Sequence, residues 1–377
     1  MITQYQARNV VSISLAFFFI FFGFGTAQQY LVILFNNQGR GHLALVSLFL
    51  LYGVFLVTGI FISRLVPLLG GLKRSLILGA VTYVLFVASV AYDNTPILLI
   101  VSVVMGIGSA SLWVCSEQII ADSSDKRNVG RNLAFQMIGL YSGNIAGIYA
   151  GGYMVNIFTH QNMYAFLVGT ICIGVLILFW TRTIKEELNL HPFRPEHISN
   201  PRMILLFPLV FATYFLLAQA FAGINLLTVS LLGIGSIPLV VTIFKLSNII
   251  GSFGSGALAG RFSKSILLIS LTFVTLGGVL LFMNAYTLVP FLAATAIVGL
   301  TTASTYPVTL AWLKETLPSE EYMYSLGTFH VYSNLGVLAA LGANLFLSAK
   351  ASFVPGVLAL LIALPCIYRF NKLQTSR

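Results

Sequence analysis

Apolar runs of about membrane-spanning length recur along the whole chain, and short polar loops separate them. Crossing ~30 Å of hydrocarbon takes ~20 apolar residues in a helix. The pattern predicts twelve such helices, at residues 9–35, 43–62, 75–92, 96–120, 132–158, 163–180, 203–226, 238–259, 265–283, 288–312, 323–347 and 353–368. The runs are continuous, whereas barrel strands would be ~10 residues long and alternate apolar with polar. The fold class read from this is all-α, a polytopic membrane protein with twelve transmembrane helices. Its weakest punctuation is at residues 223–237, which stay apolar with no charged loop.

The longest polar interruption, RTIKEELNLHPFRPEHISNPR at 182–202, divides the spans six and six. The expected organisation is an N-terminal six-helix bundle at 1–181, a cytoplasmic linker at 182–202 and a C-terminal six-helix bundle at 203–377. A shift of 193 residues lays GIGSASLW (106–113) on GLTTASTY (299–306), so that Trp113 meets Tyr306. A shift of 197 pairs Gly130 with Gly327 and Gly139 with Gly336. Small residues are common where membrane helices pack, so one such match could be chance. Two at nearly the same offset are better explained by duplication.

Composition agrees: 58% of residues are hydrophobic and 8% charged, with a mean hydropathy of +0.94, against about 25% charge in a soluble domain. The net charge of +10 would suit nucleic-acid binding, but its placement follows topology instead. With the N-terminus inside, seventeen of the twenty Lys/Arg fall on the cytoplasmic side, and only Arg40 and Lys350 face out. That is the positive-inside asymmetry. Both termini are therefore expected in the cytoplasm, no nucleic-acid partner is expected, and the lipid bilayer is the surrounding solvent. The first run is too long for a cleaved leader and reads as a signal anchor, most simply in the plasma membrane. Cys115, Cys172 and Cys366 fall inside spans and read as small buried hydrophobes. Neither a metal motif nor a cofactor is expected, and His191 and His197 read as solvated loop residues.

Parallel six-helix repeats flanking a site are the architecture of the major facilitator superfamily, and the loops strengthen the comparison. GALAGRFSKS (256–265) resembles that family's loop signature of glycine, small and basic residues; SRLVPLLGGLKRS (63–75), together with Gly59, keeps Arg64, Lys73 and Arg74 but lacks the usual Asp. Within the superfamily, FFGFGTAQQYLVILF in the first span, SLWVCSEQIIADSS around Trp113 and the NVGR turn at 128–131 resemble the uncoordinated-93-like branch. The resemblance covers roughly the first 150 residues. It implies a fold in which the first, fourth, seventh and tenth helices line a central cavity, which would place Gln28, Trp113, Gln219 and Tyr306 there. That branch has members proposed as transporters and others that act as channel partners or trafficking chaperones.

Ionisable side chains inside membrane spans are costly and mark function by default. Here they are Glu117, Lys245 and His330. At ~1.5 Å rise per residue, Glu117 and His330 lie about 7–10 Å from the cytoplasmic edge and Lys245 roughly 24 Å from it. Glu117 and His330 are accordingly expected in a cytoplasmic gate or proton-coupling step. Lys245 opens a stripe with Asn248, Ser252 and Ser255, spaced to share one helical face. Gln136 and Asn144 in the fifth span, and Asn334 beside His330 in the eleventh, complete the polar set. Amides of this kind either bond helices together or contact substrate, and the sequence leaves both open. Gly139, Gly143, Gly147 and Gly151 form a four-residue repeat that reads as a packing or sliding ridge.

The leading expectation is a secondary transporter that moves a small organic solute by alternating access, driven by protons, another ion or the solute's own gradient. No nucleotide-binding Gly-x-x-x-x-Gly-Lys-Ser/Thr loop is present, and no nucleophile–base or metal spacing points to an enzyme. The alternative is a non-transporting scaffold that regulates or escorts a partner membrane protein.

Overall fold

The computed structural model describes residues 4–37, 39–92, 94–182, 200–219, 223–233, 236–317 and 319–375. These form thirteen α-helices: α1 (Gln4–Asn37), α2 (Gly41–Leu68), α3 (Leu72–Ala91), α4 (Thr95–Asp122), α5 (Val129–Ile157), α6 (His160–Leu178), α7 (Pro201–Gln219), α8 (Gly223–Leu232), α9 (Ile237–Ala259), α10 (Lys264–Met283), α11 (Leu288–Thr316), α12 (Ser319–Phe346) and α13 (Val354–Thr375), with a 3-10 turn at Ala351–Phe353. The fold is all-α, and ten of the helices are long and apolar enough to cross a membrane. α5 and α12, at 29 and 28 residues, are also longer than a bilayer requires. Most of the linker expected at 182–202, including His191 and His197, lies outside the described residues.

Local chemistry sets the helix starts. Asn94 caps α4 by accepting from the Ile97 amide at 3.2 Å, and Pro96 follows in the first turn. Asn200 accepts from the Arg202 amide at 3.0 Å ahead of α7. Gly70 and Gly71, at φ +86° and +98°, make the turn from α2 to α3 in a region that other residues rarely adopt.

The seventh span departs from the sequence reading. It was expected to run to 226, but α7 stops at Gln219 and the ten-residue α8 begins at Gly223. The Gln219 side chain explains the glycine, because its Oε1 lies where a Cβ on residue 223 would stand. A ten-residue helix is about 15 Å long and cannot span the hydrocarbon alone.

Packing separates the chain into two units, Met1–Ser124 with Phe135–Phe193, and Asp125–Ala134 with Arg194–Arg377. In the first, α4 packs against α2 and α3, and α1 against α6 and α2. In the second, α11 packs against α9 and α10, and α7 against α12 and α13. The duplication read from the sequence reappears in the contacts. A Cβ on Gly106 would stand 2.6 Å from the Leu51 carbonyl oxygen, and one on Gly299 would stand 2.7 Å from that of Phe244; both residues of the pair are shifted by 193. Likewise Gly139 abuts the Ser14 carbonyl and Gly336 that of Phe211, both shifted by 197. Glycines and the backbone atoms they receive have been duplicated together.

Asp125–Ala134 lies with the second unit because of the same kind of close fit. A Cβ on Gly256 would stand 2.7 Å from that of Ala134, one on Gly260 would stand 2.6 Å from the Arg127 carbonyl oxygen, and one on Gly130 would stand 3.1 Å from that of Ala259. The NVGR turn is thus seated on α9 and α11 by small residues.

Candidate functional site

α4 and α11 are the most enclosed helices of their units. Residues 108–121 are buried apart from Trp113, and residues 301–313, the counterpart stretch, are buried throughout. Helices buried all round suit a central position, and both stretches are rich in Ser and Thr. Along α11 the hydroxyls of Thr301, Thr302, Ser304, Thr305 and Thr309 each donate to a carbonyl one turn earlier. That satisfies the donors within the helix and lets polar residues stand in an apolar setting.

In the first unit, the Trp113 ring meets Phe17 edge-on at 5.4 Å and Phe21 at 5.8 Å. One turn on, Gln136 of α5 donates from Nε2 to the Ser116 hydroxyl at 2.8 Å, and Ser116 in turn donates to the Trp113 carbonyl at 2.9 Å. Gln136 is fully buried, and its Oε1 has no hydrogen-bond partner among the described residues. A buried acceptor left unpaired costs about 1–3 kcal/mol, so this atom is a natural contact for a bound donor. Glu117 is also fully buried, beside Ser116 on α4. Gln28 donates to the Tyr52 hydroxyl at 3.1 Å, between α1 and α2. The structure thus brings Trp113, Gln136 and Glu117 into one region of α4 and α5, and Gln28 faces α2.

The second unit uses its polar residues differently. Lys245 is 5% exposed in the middle of α9, with Nζ 5.9 Å from the Phe244 ring. Asn248, with its amide nitrogen turned to the carbonyls, donates to Gly299 at 2.6 Å and Phe244 at 3.1 Å. Ser252 donates to the Ala303 carbonyl at 3.2 Å. The stripe below Lys245 therefore binds α9 to α11. Tyr306 is buried with its ring 5.9 Å from Phe329. His330 is buried on α12, and Asn334 donates back to its carbonyl at 2.6 Å.

Gln219 is committed to a network that the sequence did not disclose. It donates to the Ser352 carbonyl at 3.0 Å and accepts from Asn344 at 2.9 Å, joining α7, α12 and the 3-10 turn. The signal was available in the repeat: Asn344 is the 197-shifted counterpart of Gly147, so an amide pair occupies the level where the first unit has a glycine contact. Ser116 and Tyr52, the partners of Gln136 and Gln28, were also missed. Among the described residues no group of three His, Cys, Asp or Glu side chains could hold a metal ion.

The profile of the Major Facilitator Superfamily matches residues 10–238, more than half of the chain. The chain belongs to this superfamily. A transporter-type protein of Escherichia coli O6:K15:H31 named YcaD and described as uncharacterised is 27% identical over 232 residues, covering 56% of this chain and 55% of that protein. Its counterpart in Salmonella dublin is 26% identical over 230 residues, with the same coverage. The match thus spans about half the length of the curated relatives. Two solved superfamily structures share the fold at 13% identity: the human organic anion transporter MFSD10, with a TM-score of 0.76 over 96% of this chain and 99% of that one, and the E. coli fucose:proton symporter FucP, with a TM-score of 0.71 over the same shares. Superfamily membership makes this an integral membrane protein of a transporter family and not an enzyme.

Proposed function

We propose that the chain is a secondary transporter that carries a small organic solute, anionic or zwitterionic, by alternating access. The observation that carries this reading is Lys245, a cation 5% exposed in an apolar membrane helix. A charge at the centre of a membrane helix costs about 2.5–3.5 kcal/mol, and its retention in α9 supports a role in binding a ligand. Membership of a transporter superfamily supports it, and so does the unpaired acceptor of Gln136 beside Trp113. Substrate contacts are assigned to Gln28, Trp113, Gln136, Gln219, Lys245, Asn248, Tyr306 and Asn334, with Asn248 and Gln219 also holding helices together. The motifs of the first half support placement in the uncoordinated-93-like branch. Uptake of labelled organic anions and zwitterions into vesicles carrying the purified protein tests the reading. Saturable uptake above protein-free vesicles is expected; its absence across the panel would favour the scaffold alternative.

Glu117 and His330, buried in separate units, are proposed to couple transport to protons. An imidazole can gain and lose a proton, so His330→Gln should weaken the pH dependence of uptake. A pH profile identical to that of the unaltered protein would remove His330 from the coupling.

The basic residues support a plasma-membrane orientation with both termini and the 182–202 linker in the cytoplasm. A single cysteine placed at Glu196 should resist an impermeant thiol reagent in intact cells and react after permeabilisation. Reaction in intact cells would invert the topology.

A further inference from the structure

We infer that one corner of the first unit, where the start of α1, the turn between α2 and α3 and the end of α6 meet, binds the headgroup phosphate of an anionic phospholipid. Lys73 Nζ donates to the Phe179 carbonyl at 2.9 Å, and Arg8 Nε donates to the next carbonyl, that of Trp180, at 3.1 Å. Consecutive carbonyls are a few ångströms apart, so the two cations lie at most about 10 Å from each other. Arg74 is exposed one residue after Lys73, with its guanidinium folded over Gly70. Two cations thus cap the C-terminal end of α6, which offers only about half a negative charge, and Arg74 adds a third charge on the neighbouring turn. Among the described residues none of the three has a carboxylate partner.

The second unit also has a lysine at the corresponding turn, at the start of α10. There Lys264 pairs with Glu315 at 2.6 Å. The 193-shifted counterpart of Glu315 is Asp122, which accepts from Gln118 on both oxygens at 2.9 Å. At the corner of the first unit the bonds shown run instead from the two cations to carbonyls at the end of α6. Phe179 and Trp180, 55% and 60% exposed, fix the level of the corner. Exposed aromatics beside Lys and Arg mark the headgroup region of a bilayer, so the anion within reach is a lipid phosphate. Each capping cation uses one N–H on a carbonyl and has further N–H groups to offer a phosphate oxygen. The leaflet follows from the proposed orientation and is the cytoplasmic one.

Native mass spectrometry of the purified chain, released from mixed phosphatidylcholine and phosphatidylglycerol micelles, reads the preference directly and does not depend on transport. Phosphatidylglycerol should be retained over phosphatidylcholine. Arg74→Gln, which removes a charge without removing a cap, should lower that preference about fivefold, the weight of one cation near an anionic surface. Arg8→Lys and Arg74→Lys should keep it, which separates charge from folding. Equal retention of the two lipids, or an undiminished preference in Arg74→Gln, would overturn the inference. Displacement of the lipid by millimolar inorganic phosphate would also overturn it, since the corner would then be a free-anion site. Absence of uptake with lipid selectivity intact would count against the transporter reading alone.

Discussion

Replacing Gly139 and Gly143 together with alanine should leave little folded protein, although the change adds only two methyl groups. Both glycines of α5 abut backbone carbonyls of α1, those of Ser14 and Phe18, and Gly147 and Gly151 continue the contact against Phe22, Thr26 and Tyr30. The spacing is four residues on both helices, so the ridge of one runs along the groove of the other. In lipid no hydrophobic drive brings helices together, and close van der Waals approach, aided by Cα–H to carbonyl contacts, must do so. A methyl directed at a carbonyl oxygen cannot be relieved by a rotamer change; the helices have to separate, at about 1–3 kcal/mol for each site. Gly169→Ala and Gly277→Ala are the controls, because a Cβ at either meets nothing within 4 Å. They should be neutral or gain up to ~1 kcal/mol from helix propensity. The measurement is the fraction of monodisperse protein remaining after a heat ramp in detergent. A double variant that survives as well as the two controls would show that the ridge is not a structural contact.

The duplicated design was legible in the sequence, and it was legible for a physical reason. A glycine held against a backbone carbonyl has no substitute, so Gly106 with Gly299, and Gly139 with Gly336, remain at the same offsets as the backbone atoms they receive. Span lengths were equally legible, since bilayer thickness imposes them. The destination of the polar side chains was not. Avoiding lipid requires Asn248 and Ser252 to turn inward, but a bond to a neighbouring helix and a contact with solute both meet that requirement. Only the geometry shows that Asn248 reaches the Gly299 carbonyl and Ser252 that of Ala303. Gln219 illustrates the same limit at a helix end. Its bonds to Ser352 and Asn344 come from residues more than 100 positions away in sequence, and no local pattern around 219–226 announces that α7 must end there. Gln136 is the opposite case: its partner Ser116 lies in the segment around Trp113 that carries the family resemblance, and its second polar atom stays unpaired.

Lys245→Met should separate the two roles available to a buried cation. Methionine matches the length of the lysine stem and is apolar, so the substitution removes the charge while filling most of the same volume. A buried charge is expensive to desolvate, and replacing it with a packed apolar side chain is often neutral or stabilising. The variant is therefore expected to fold at least as well as the unaltered protein, by the same heat-ramp measurement. Transport should respond in the other direction. If Nζ meets a carboxylate or phosphate of the solute, removing it leaves that anion unpaired in a low-dielectric site, a loss of about 2–5 kcal/mol, or roughly 30-fold to several-thousand-fold in kcat/KM for uptake. Lys245→Arg, which keeps the charge but changes its shape and reach, should fall between the two. Asn248 and Ser252 keep their own bonds from α9 to α11 in this variant. A variant that loses stability and transport in parallel would assign Lys245 to the scaffold of α9, and unchanged uptake kinetics would exclude it from solute recognition. Greater stability with abolished uptake is the result expected of a charge held in the membrane for its ligand.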